Sequence, residues 1–264
     1  MKKILAIIQA RTSSKRLPSK VLLPINNTPM ILFQLNRIKR SKLISKIILA
    51  TSNDITDDHL ANIVKANGYD IFRGSLDNVL DRYAKCAEKE GPDIIIRLTG
   101  DCPLTDPELI DEIIDFFLKS DYDYLGNGIE QNNLSVPDGF DIEIFSYDIL
   151  KVALEKAFLP SELEHVTPWF RSKKSNFKWG HFNHSKKRSA YHRVTVDDLK
   201  DYELVTKIVE DIYPKNKNFG IDDVINFLEN NPGIAFLNKA TIRNEGLLKS
   251  LEEDKFFKED QNYE

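Results

Sequence analysis

The stretch Ala10-Arg-Thr-Ser-Ser-Lys-Arg-Leu-Pro-Ser-Lys20 decides the fold, because it directly follows the apolar run Ile4-Leu-Ala-Ile-Ile8. That run is too short to span a membrane and is typical of a buried strand. On charge alone, the loop is simply solvated and basic. Its position after a strand favours a polyphosphate site, since open α/β sheets bind ligands at the carboxyl ends of their strands. The loop lacks the glycines of the G-x-G-x-x-G and G-x-x-x-x-G-K-[ST] patterns, which argues against a Rossmann dinucleotide site and a P-loop.

The bulk composition is that of an ordinary globular protein. The chain has 264 residues, of which 41% are hydrophobic and 30% charged, and a formal net charge of −4. The negative charge argues against a general nucleic-acid binder. The two cysteines, Cys86 and Cys102, support neither a disulfide framework nor a cysteine-based zinc site. The sequence shows no cleavable signal and no membrane-spanning stretch, so we expect a cytoplasmic enzyme without a membrane partner.

Strands and helices are predicted to alternate along the first 120 residues. The predicted strands are Ile4–Ile8, Lys46–Thr51, Tyr69–Arg73 and Asp93–Leu98, and the predicted helices are Met30–Lys39, Asp57–Asn67, Asn78–Glu90 and Asp106–Leu118. This order predicts an α/β fold with a mostly parallel, doubly wound sheet.

The pattern changes after Asp121. Residues 121–146 predict a small antiparallel β insertion, and 147–158, 161–172 and Asp201–Ile212 predict helices. Phe177–His181 and Ser189–Val196 predict further strands. We expect one domain over residues 1–250, with 121–146 and 177–196 forming the acceptor region. The highly charged tail, 251–264, is expected to fray from Glu252.

Two aspartates at predicted strand ends are candidate metal ligands. Asp101 follows the strand DIIIRL after Gly100, which gives a ligand room to approach. The alternative for Asp101 is a helix cap, although Asp106 already fits that role. Asp197 ends the run Arg193-Val-Thr-Val-Asp197, and there the cap alternative is stronger, since Asp197 or Asp198 could begin the next helix. Two aspartates, a basic loop and no Cys/His cluster are typical of Mg²⁺–nucleotide chemistry.

The histidines match no zinc template, so we expect no metal role for them. His165 stands next to Glu164, and a substrate contact and a structural hydrogen-bonding pair are equally good interpretations. The basic turn His184-Ser-Lys-Lys-Arg188 faces either an anion or only solvent.

Six ordered motifs together resemble the cytidylyltransferases that activate acidic sugars, which include the CMP-sialic acid and CMP-ketodeoxyoctonate synthetases. The likeness is greatest to the spore-coat polysaccharide branch and covers nearly the whole chain. The motifs are Gln9–Lys20, Asp77-Asn-Val-Leu-Asp-Arg-Tyr83, Arg97-Leu-Thr-Gly-Asp-Cys-Pro-Leu104, Pro137-Asp-Gly-Phe-Asp-Ile-Glu-Ile-Phe145, Glu164-His-Val-Thr-Pro168 and Arg193–Asp197. The ending Asn238…Arg243-Asn-Glu-Gly246 also fits that branch.

The resemblance implies a GT-A-like fold and a reaction in which CMP passes from CTP to an acidic sugar or sugar phosphate, with Mg²⁺ as cofactor and release of pyrophosphate. It implies that Arg11 and Lys20 grip the triphosphate and that Asp101 and Asp197 hold the metal, so these four are the expected catalytic residues. The other nucleotide contacts that it implies are Ala10, Ser13, Ser14, Arg16, Arg82 and Gly100. The acceptor contacts that it implies are Glu143, His165, His192 and Arg193.

The chain departs from the family pattern at Ser19, where related loops often carry glycine, and it lacks the Tyr-rich acceptor motif of the ketodeoxyoctonate enzymes. The acceptor is therefore left open. Two other functions also stay open: a GT-A-type glycosyltransferase, although no D-x-D motif is supplied at Gly100-Asp-Cys-Pro, and a non-catalytic nucleotide-binding protein. The resemblance also implies a homodimer.

Overall fold

The structure is a computed structural model that describes residues 2–130, 134–184, 190–239 and 243–260. Its strands are β1 (Ile4–Gln9), β2 (Pro24–Ile25), β3 (Thr28–Pro29), β4 (Lys46–Ser52), β5 (Asp70–Gly74), β6 (Ile94–Thr99), β7 (Tyr124–Gly126), β8 (Glu143–Ser146) and β9 (Trp179–His181). The helices are α1 (Met30–Ile38), α2 (Asp58–Ala66), α3 (Val79–Glu90), α4 (Pro107–Lys119), α5 (Tyr147–Lys156), α6 (Pro160–His165), α7 (Leu199–Ile212), α8 (Ile221–Asn230), α9 (Pro232–Ala235) and α10 (Glu245–Asp260).

Seven strands form a central sheet in the order β5-β4-β1-β6-β8-β7-β9 among the described residues. Strands β5, β4, β1 and β6 are parallel, whereas β8 runs antiparallel to both β6 and β7. The predicted α/β fold with a mostly parallel sheet is therefore confirmed. The antiparallel material predicted between 121 and 146 joins the central sheet through β7 and β8. A separate two-stranded hairpin, β2–β3, had no counterpart in the prediction.

The sheet is buried on both faces, as expected for doubly wound architecture. Along β1, Ile4, Ala6 and Ile8 belong to one apolar cluster, and Leu5 and Ile7 belong to the other. Helices α1, α2, α4, α7 and α8 contribute to the first cluster, and α3 and α5 to the second. Because both faces of β1 are buried, its sequence is continuously apolar and not alternating.

Helix caps settle two of the alternatives left by the sequence. Asp106 caps α4 by accepting a hydrogen bond from the Glu108 backbone N–H at 2.8 Å, and Pro107 follows at the first helical position. Asp198 caps α7 by accepting from the Asp201 N–H at 3.0 Å. Asp101 and Asp197 are therefore not the residues that cap these helices.

Two predicted elements are wrong in part. The helix predicted over 161–172 ends at His165, because Val166 has φ +68° and forms a tight turn in which the Thr167 N–H bonds the His165 carbonyl at 2.7 Å. Positive φ is strained for a β-branched residue. The strand predicted from Ser189 is also wrong, since the described part from 190 pairs only through an isolated bridge between Asp138 and Arg193.

The expected fraying from Glu252 is not found in the described residues, because α10 continues to Asp260. Asp254 on α10 is buried and accepts hydrogen bonds from the backbone and hydroxyl of Ser161, at 2.9 and 2.6 Å. Helix α10 is thus fixed to α6. Within the described residues, no helix has the length and apolar character needed to cross a membrane.

Candidate active site

The basic loop after β1 is anchored by a buried carboxylate. Asp57 accepts hydrogen bonds from the backbone N–H and the hydroxyl of Thr12, at 2.7 and 2.8 Å. Further along, the Ser19 N–H bonds the Thr12 carbonyl at 2.9 Å and closes the loop on itself. Ser19 adopts φ +56°, a left-handed conformation that favours glycine, the residue that the family resemblance leads us to expect there.

Lys20 lies at the centre of the site and is 8% exposed. Its Nζ donates to Asp197 Oδ1 at 2.9 Å, to the Val196 carbonyl at 2.8 Å and to Asp101 Oδ2 at 3.3 Å. Burial lowers the pKa of Lys20, but the charges of Asp101 and Asp197 outweigh burial and leave that pKa raised. The sequence-predicted loop cation and both predicted metal ligands therefore meet at one point.

Asp197 is held by three cations. Besides Lys20, it pairs with Arg16 Nη2 at 3.0 Å and with Arg193 Nη2 at 2.5 Å. Burial raises the pKa of the Asp197 carboxyl, but Lys20, Arg16 and Arg193 together lower it to about 2. Asp197 is consequently a carboxylate over the whole neutral range.

The carboxylate pair fits a magnesium ion. Mg²⁺ is usually held by one or two carboxylates and completes its shell with water and substrate phosphate oxygens. The oxygens of Asp101 and Asp197 already converge on a cation, the Lys20 ammonium. Among the described residues, no group of three or more His, Cys, Asp or Glu side chains forms a metal site. The donor set is thus of the kind that relies on substrate phosphate for further ligands.

The loop arginines reach helices α6 and α10. Arg11 Nη2 pairs with Glu164 Oε1 of α6 at 3.0 Å, and Arg16 Nη1 donates to Glu245 Oε2 of α10 at 2.7 Å. Both arginines remain over a third exposed in their side chains. Each therefore stays accessible to an anion that displaces its glutamate.

Ala10 and Gly100 bring the ends of β1 and β6 together. The Gly100 N–H bonds the Gln9 carbonyl at 2.8 Å. A Cβ on Gly100 would lie 2.8 Å from the Ala10 Cβ, which is closer than real side chains approach. The two loops that carry Arg11 and Asp101 are thus locked in contact by the lack of a side chain at position 100.

Arg82 is buried at 2% exposure on α3, behind the loop. Its Nη1 donates to the Ser75 carbonyl at 3.2 Å, while its Nε has no hydrogen-bond partner among the described residues. Burial lowers the pKa of Arg82, and the charge of Arg11 lowers it further. Ser75 also lines a cavity of about 580 Å³ at the carboxyl ends of β4 and β5. Ser13 and Ser14 lie on the loop itself, exposed and half-buried respectively.

Glu143 is committed to an internal network. Its carboxylate accepts from Arg97 and Tyr124, and from the Thr167 hydroxyl at 2.7 Å. Burial raises the pKa of Glu143, but Arg97 and the two hydroxyl donors outweigh it and lower it below its ordinary value. Glu143 connects β8 to β6, β7 and the EHVTP turn. Both of its carboxylate oxygens accept hydrogen bonds from protein side chains, so they do not face the predicted acceptor site.

His165 and Glu164 point to different partners and do not form the hydrogen-bonded pair considered from the sequence. Glu164 holds Arg11, whereas His165 Nε2 lies 3.2 Å from the Ser250 hydroxyl of α10. Burial lowers the pKa of His165 to about 4, and Arg97 contributes in the same direction. His165 is therefore a neutral contact between helices in this structure.

Arg193 and His192 stand at the far side of Asp197. Arg193 pairs with Asp138, Asp197 and Asp201, and burial lowers its pKa less than these three charges raise it. His192 is 9% exposed, and its Nε2 has no hydrogen-bond partner within the described part of the chain. Of the four predicted acceptor residues, Arg193 lies nearest to Asp197, but its donors already pair with these three carboxylates.

Seven charged side chains alternate in sign across the site, and we call them the charged row. In order they are Asp101, Lys20, Asp197, Arg193, Asp138, Arg243 and Asp141. Sequence reasoning missed the role of Asp57, Asp138 and Glu245. Asp138 and Asp141 lie within the DGFDIEIF motif, and Arg243 lies within the C-terminal motif. Those two motifs are therefore the sequence signal that could have pointed to these residues. The basic turn at 185–188 lies outside the described residues.

Comparisons with known proteins agree with this geometry. The sequence profile of the cytidylyltransferase family matches residues 5–242. A spore coat polysaccharide biosynthesis protein, SpsF of Bacillus subtilis, is 33% identical over 248 residues, covering 91% of this chain and 100% of that protein. The structure of a cytidylyltransferase from Leptospira borgpetersenii superposes with a TM-score of 0.83 at 33% identity, covering 92% of this chain and 100% of that one.

A more distant relative matches only part of the chain. The 3-deoxy-manno-octulosonate cytidylyltransferase of Geobacter sulfurreducens is 38% identical over 113 residues, which is 42% of this chain and 44% of that protein.

Proposed function

Because this chain belongs to the family of cytidylyltransferases, which are CTP-dependent nucleotidyltransferases, we propose that it transfers CMP from CTP to an acidic sugar or sugar phosphate, with Mg²⁺ as cofactor. The observation that carries the proposal is the pair of salt bridges from Lys20 to Asp101 and Asp197, at the carboxyl ends of the central strands. Family membership decides against the glycosyltransferase alternative. It also argues against a purely non-catalytic role.

The acceptor class rests on the relatives. Bacillus subtilis SpsF is named for spore coat polysaccharide biosynthesis, and the Geobacter sulfurreducens relative is named for 3-deoxy-manno-octulosonate, a sugar acid. We therefore place the reaction in surface polysaccharide or glycan biosynthesis. The resemblance also favours a cytoplasmic homodimer, and light scattering of the purified protein tests the dimer.

The loop supplies the charge that the triphosphate requires. Lys20 and Arg11 neutralise the β- and γ-phosphates as pyrophosphate leaves, and Arg16, Ser13 and Ser14 line the same loop. These groups act by positioning and electrostatic stabilisation. They need no covalent intermediate, because the acceptor oxygen displaces pyrophosphate from the α-phosphorus directly.

Asp101 and Asp197 would hold the metal. When bound there, Mg²⁺ draws charge from the α-phosphate oxygens and reduces their repulsion of the incoming oxygen. Arg82 orients the nucleotide from behind the loop. Ala10 and Gly100, which pack against each other, keep the carboxylate and the phosphate loop at a fixed separation.

The test is pyrophosphate release with Mg²⁺ across CTP, UTP, GTP and ATP, each against a panel of acidic sugars and sugar phosphates. We expect release that depends on both CTP and an acceptor. Lys20→Gln should reduce it at least about 100-fold, as expected for loss of a transition-state charge contact.

Lys46→Gln is the matched control. Lys46 also pairs with two carboxylates, Asp70 and Glu90, but it lies at the amino-terminal end of β4, away from the carboxyl ends where Lys20 lies. We expect Lys46→Gln to keep its activity. Equal losses in both variants, or acceptor-independent release, would contradict the proposal.

A further inference from the structure

The last guanidinium of the charged row belongs to Arg243, and its donors are not fully used. Arg243 Nη2 donates to Asp141 Oδ1 at 2.6 Å, and its Nε lies 3.8 Å from Asp138 Oδ1. Both Nε and Nη1 are shielded from solvent, and neither donates a hydrogen bond to any residue that the structure describes. A shielded donor without a partner is costly, so this group gains more from an incoming anion than a solvated arginine would.

Arg193, which the sequence suggested for the acceptor, differs from Arg243 in this respect. Its Nη1, Nη2 and Nε face Asp138, Asp197 and Asp201, and only 9% of the side chain is exposed. An anion approaching Arg193 would have to displace three carboxylates, and two of them, Asp138 and Asp201, are buried. Arg243 has one close carboxylate partner, Asp141, and that partner is a third exposed.

The position of Arg243 suits a ligand that reaches the metal carboxylates. Asp138 pairs with both Arg243 and Arg193. It also accepts a hydrogen bond at 2.9 Å from the hydroxyl of Thr195, which lies two residues before Asp197 in the chain. Val196, directly before Asp197, donates its backbone N–H to the Asp101 carbonyl at 2.8 Å, and Val194 donates to the Asp138 carbonyl at 2.7 Å. Because the segment 194–197 contacts both Asp101 and Asp138, a single sugar that places a hydroxyl at the Asp101–Asp197 end can place an anionic group at the Arg243 end.

We infer that Arg243 binds the anionic group of the acceptor, a carboxylate or phosphate, while Asp141 takes hydroxyl groups of the same sugar. This inference rests on the proposed function. It makes Arg243 the residue that selects acidic over neutral acceptors.

The kinetic test compares Arg243→Gln with wild type, using the acidic acceptor that gives the fastest pyrophosphate release and its neutral analogue with the anionic group replaced by a hydroxymethyl. We expect the KM for the acidic acceptor to rise about 10- to 100-fold, as for loss of a charge-assisted hydrogen bond. The KM for CTP and the turnover of the neutral analogue should stay within about twofold of wild type. Arg243→Lys should recover part of the acidic preference.

Arg40→Gln is the control, because Arg40 bonds Asn218 Oδ1 at 2.8 Å beyond the C-terminal end of α1. An unchanged acceptor KM in Arg243→Gln would overturn the inference. So would an equal rise in the KM for CTP, which would indicate a general structural defect.

A binding measurement separates this inference from the proposed function. Protein saturated with Mg²⁺ and a non-hydrolysable CTP analogue, so that the loop is filled, is titrated with inorganic phosphate and followed by ³¹P NMR. Saturable phosphate binding that is present in wild type and lost in Arg243→Gln supports the anion site even if no acceptor in the panel turns over. Binding that is absent in wild type, or equal in both proteins, overturns it.

Discussion

Gly100 packs so closely against Ala10 that no side chain fits at position 100. An added Cβ would lie 2.8 Å from the Ala10 Cβ and 3.1 Å from the Gln9 carbonyl oxygen. The first of these atoms belongs to the start of the phosphate loop, and the glycine directly precedes Asp101. The separation between the basic loop and Asp101 is therefore set by the contact of Gly100 with Ala10 and Gln9.

Gly100→Ala should force these two loops apart. Overpacking of this kind costs about 1–3 kcal/mol in the free energy of unfolding, and activity should fall by more than that loss of folded protein explains. Urea unfolding and pyrophosphate release measure the two effects. Gly233→Ala is the control, since a Cβ there meets nothing within 4 Å. Similar stability in both variants would show that the contact at Gly100 relaxes freely.

Ser19→Gly should stabilise the protein. The left-handed conformation of Ser19, at φ +56°, costs an L-residue about 1–2 kcal/mol, which exceeds the extra chain entropy that glycine brings to the unfolded state. We expect a gain of about 0.5–1 kcal/mol by denaturant unfolding. Ser13→Gly, an exposed serine of the same loop with ordinary φ, should give no gain. The same gain at both positions would mean that the loop conformation is not responsible.

Asp101→Asn should leave the fold intact and remove most of the activity. Lys20 keeps its bond to Asp197 at 2.9 Å, so the buried ammonium is not left without a carboxylate. We expect at least about a 100-fold loss of pyrophosphate release at saturating CTP, together with a higher Mg²⁺ requirement and an unchanged Tm. Asp70→Asn, which removes a carboxylate partner of Lys46, serves as control. Turnover near wild type in Asp101→Asn would refute the metal assignment.

His165 should make stability depend on pH. Burial lowers its pKa from 6.5 to about 4, so between these values the unfolded chain binds a proton that the folded protein does not. The contribution of His165 is therefore complete above pH 6.5 and is lost as the pH falls towards 4, by about 2 kcal/mol after allowance for partial exposure. Urea unfolding of wild type and His165→Gln at pH 7 and pH 4.5 measures the difference.

Other groups titrate in the same window, but they are common to both proteins. His59→Gln, at an exposed position on α2, should follow the wild-type curve. If His165→Gln loses as much stability on acidification as wild type does, another group causes the pH dependence.

The strands and loops that carry the site were predictable because they depend on local pattern. A continuously apolar strand followed by a polar loop appears in the sequence as such, and β1 with Lys20 and β6 with Asp101 both follow that rule. Asp106 was recognised as a cap for the same reason, since Pro107 stands next to it.

The partners across the site were not predictable, because they are separated by long stretches of chain. Asp138 meets Arg193 across 55 residues, and Arg16 meets Glu245 across 229. Nothing in the local sequence indicates that Arg193 would have its donors occupied by three carboxylates. The break at Val166 also escaped prediction, since β-branched residues rarely adopt positive φ and only the surrounding contacts can impose it.

The Lys20 ammonium gives the carboxylates of Asp101 and Asp197 a counter-ion that is part of the polypeptide itself. Without it, Asp101 would face Asp197 with no cation between the two carboxylates, and only Arg16 and Arg193 would still pair with Asp197 among the described residues. With it, a charge of the polypeptide itself holds the two carboxylates together. If Mg²⁺ is the cofactor, as proposed above, chelation should stop catalysis and leave the melting temperature unchanged.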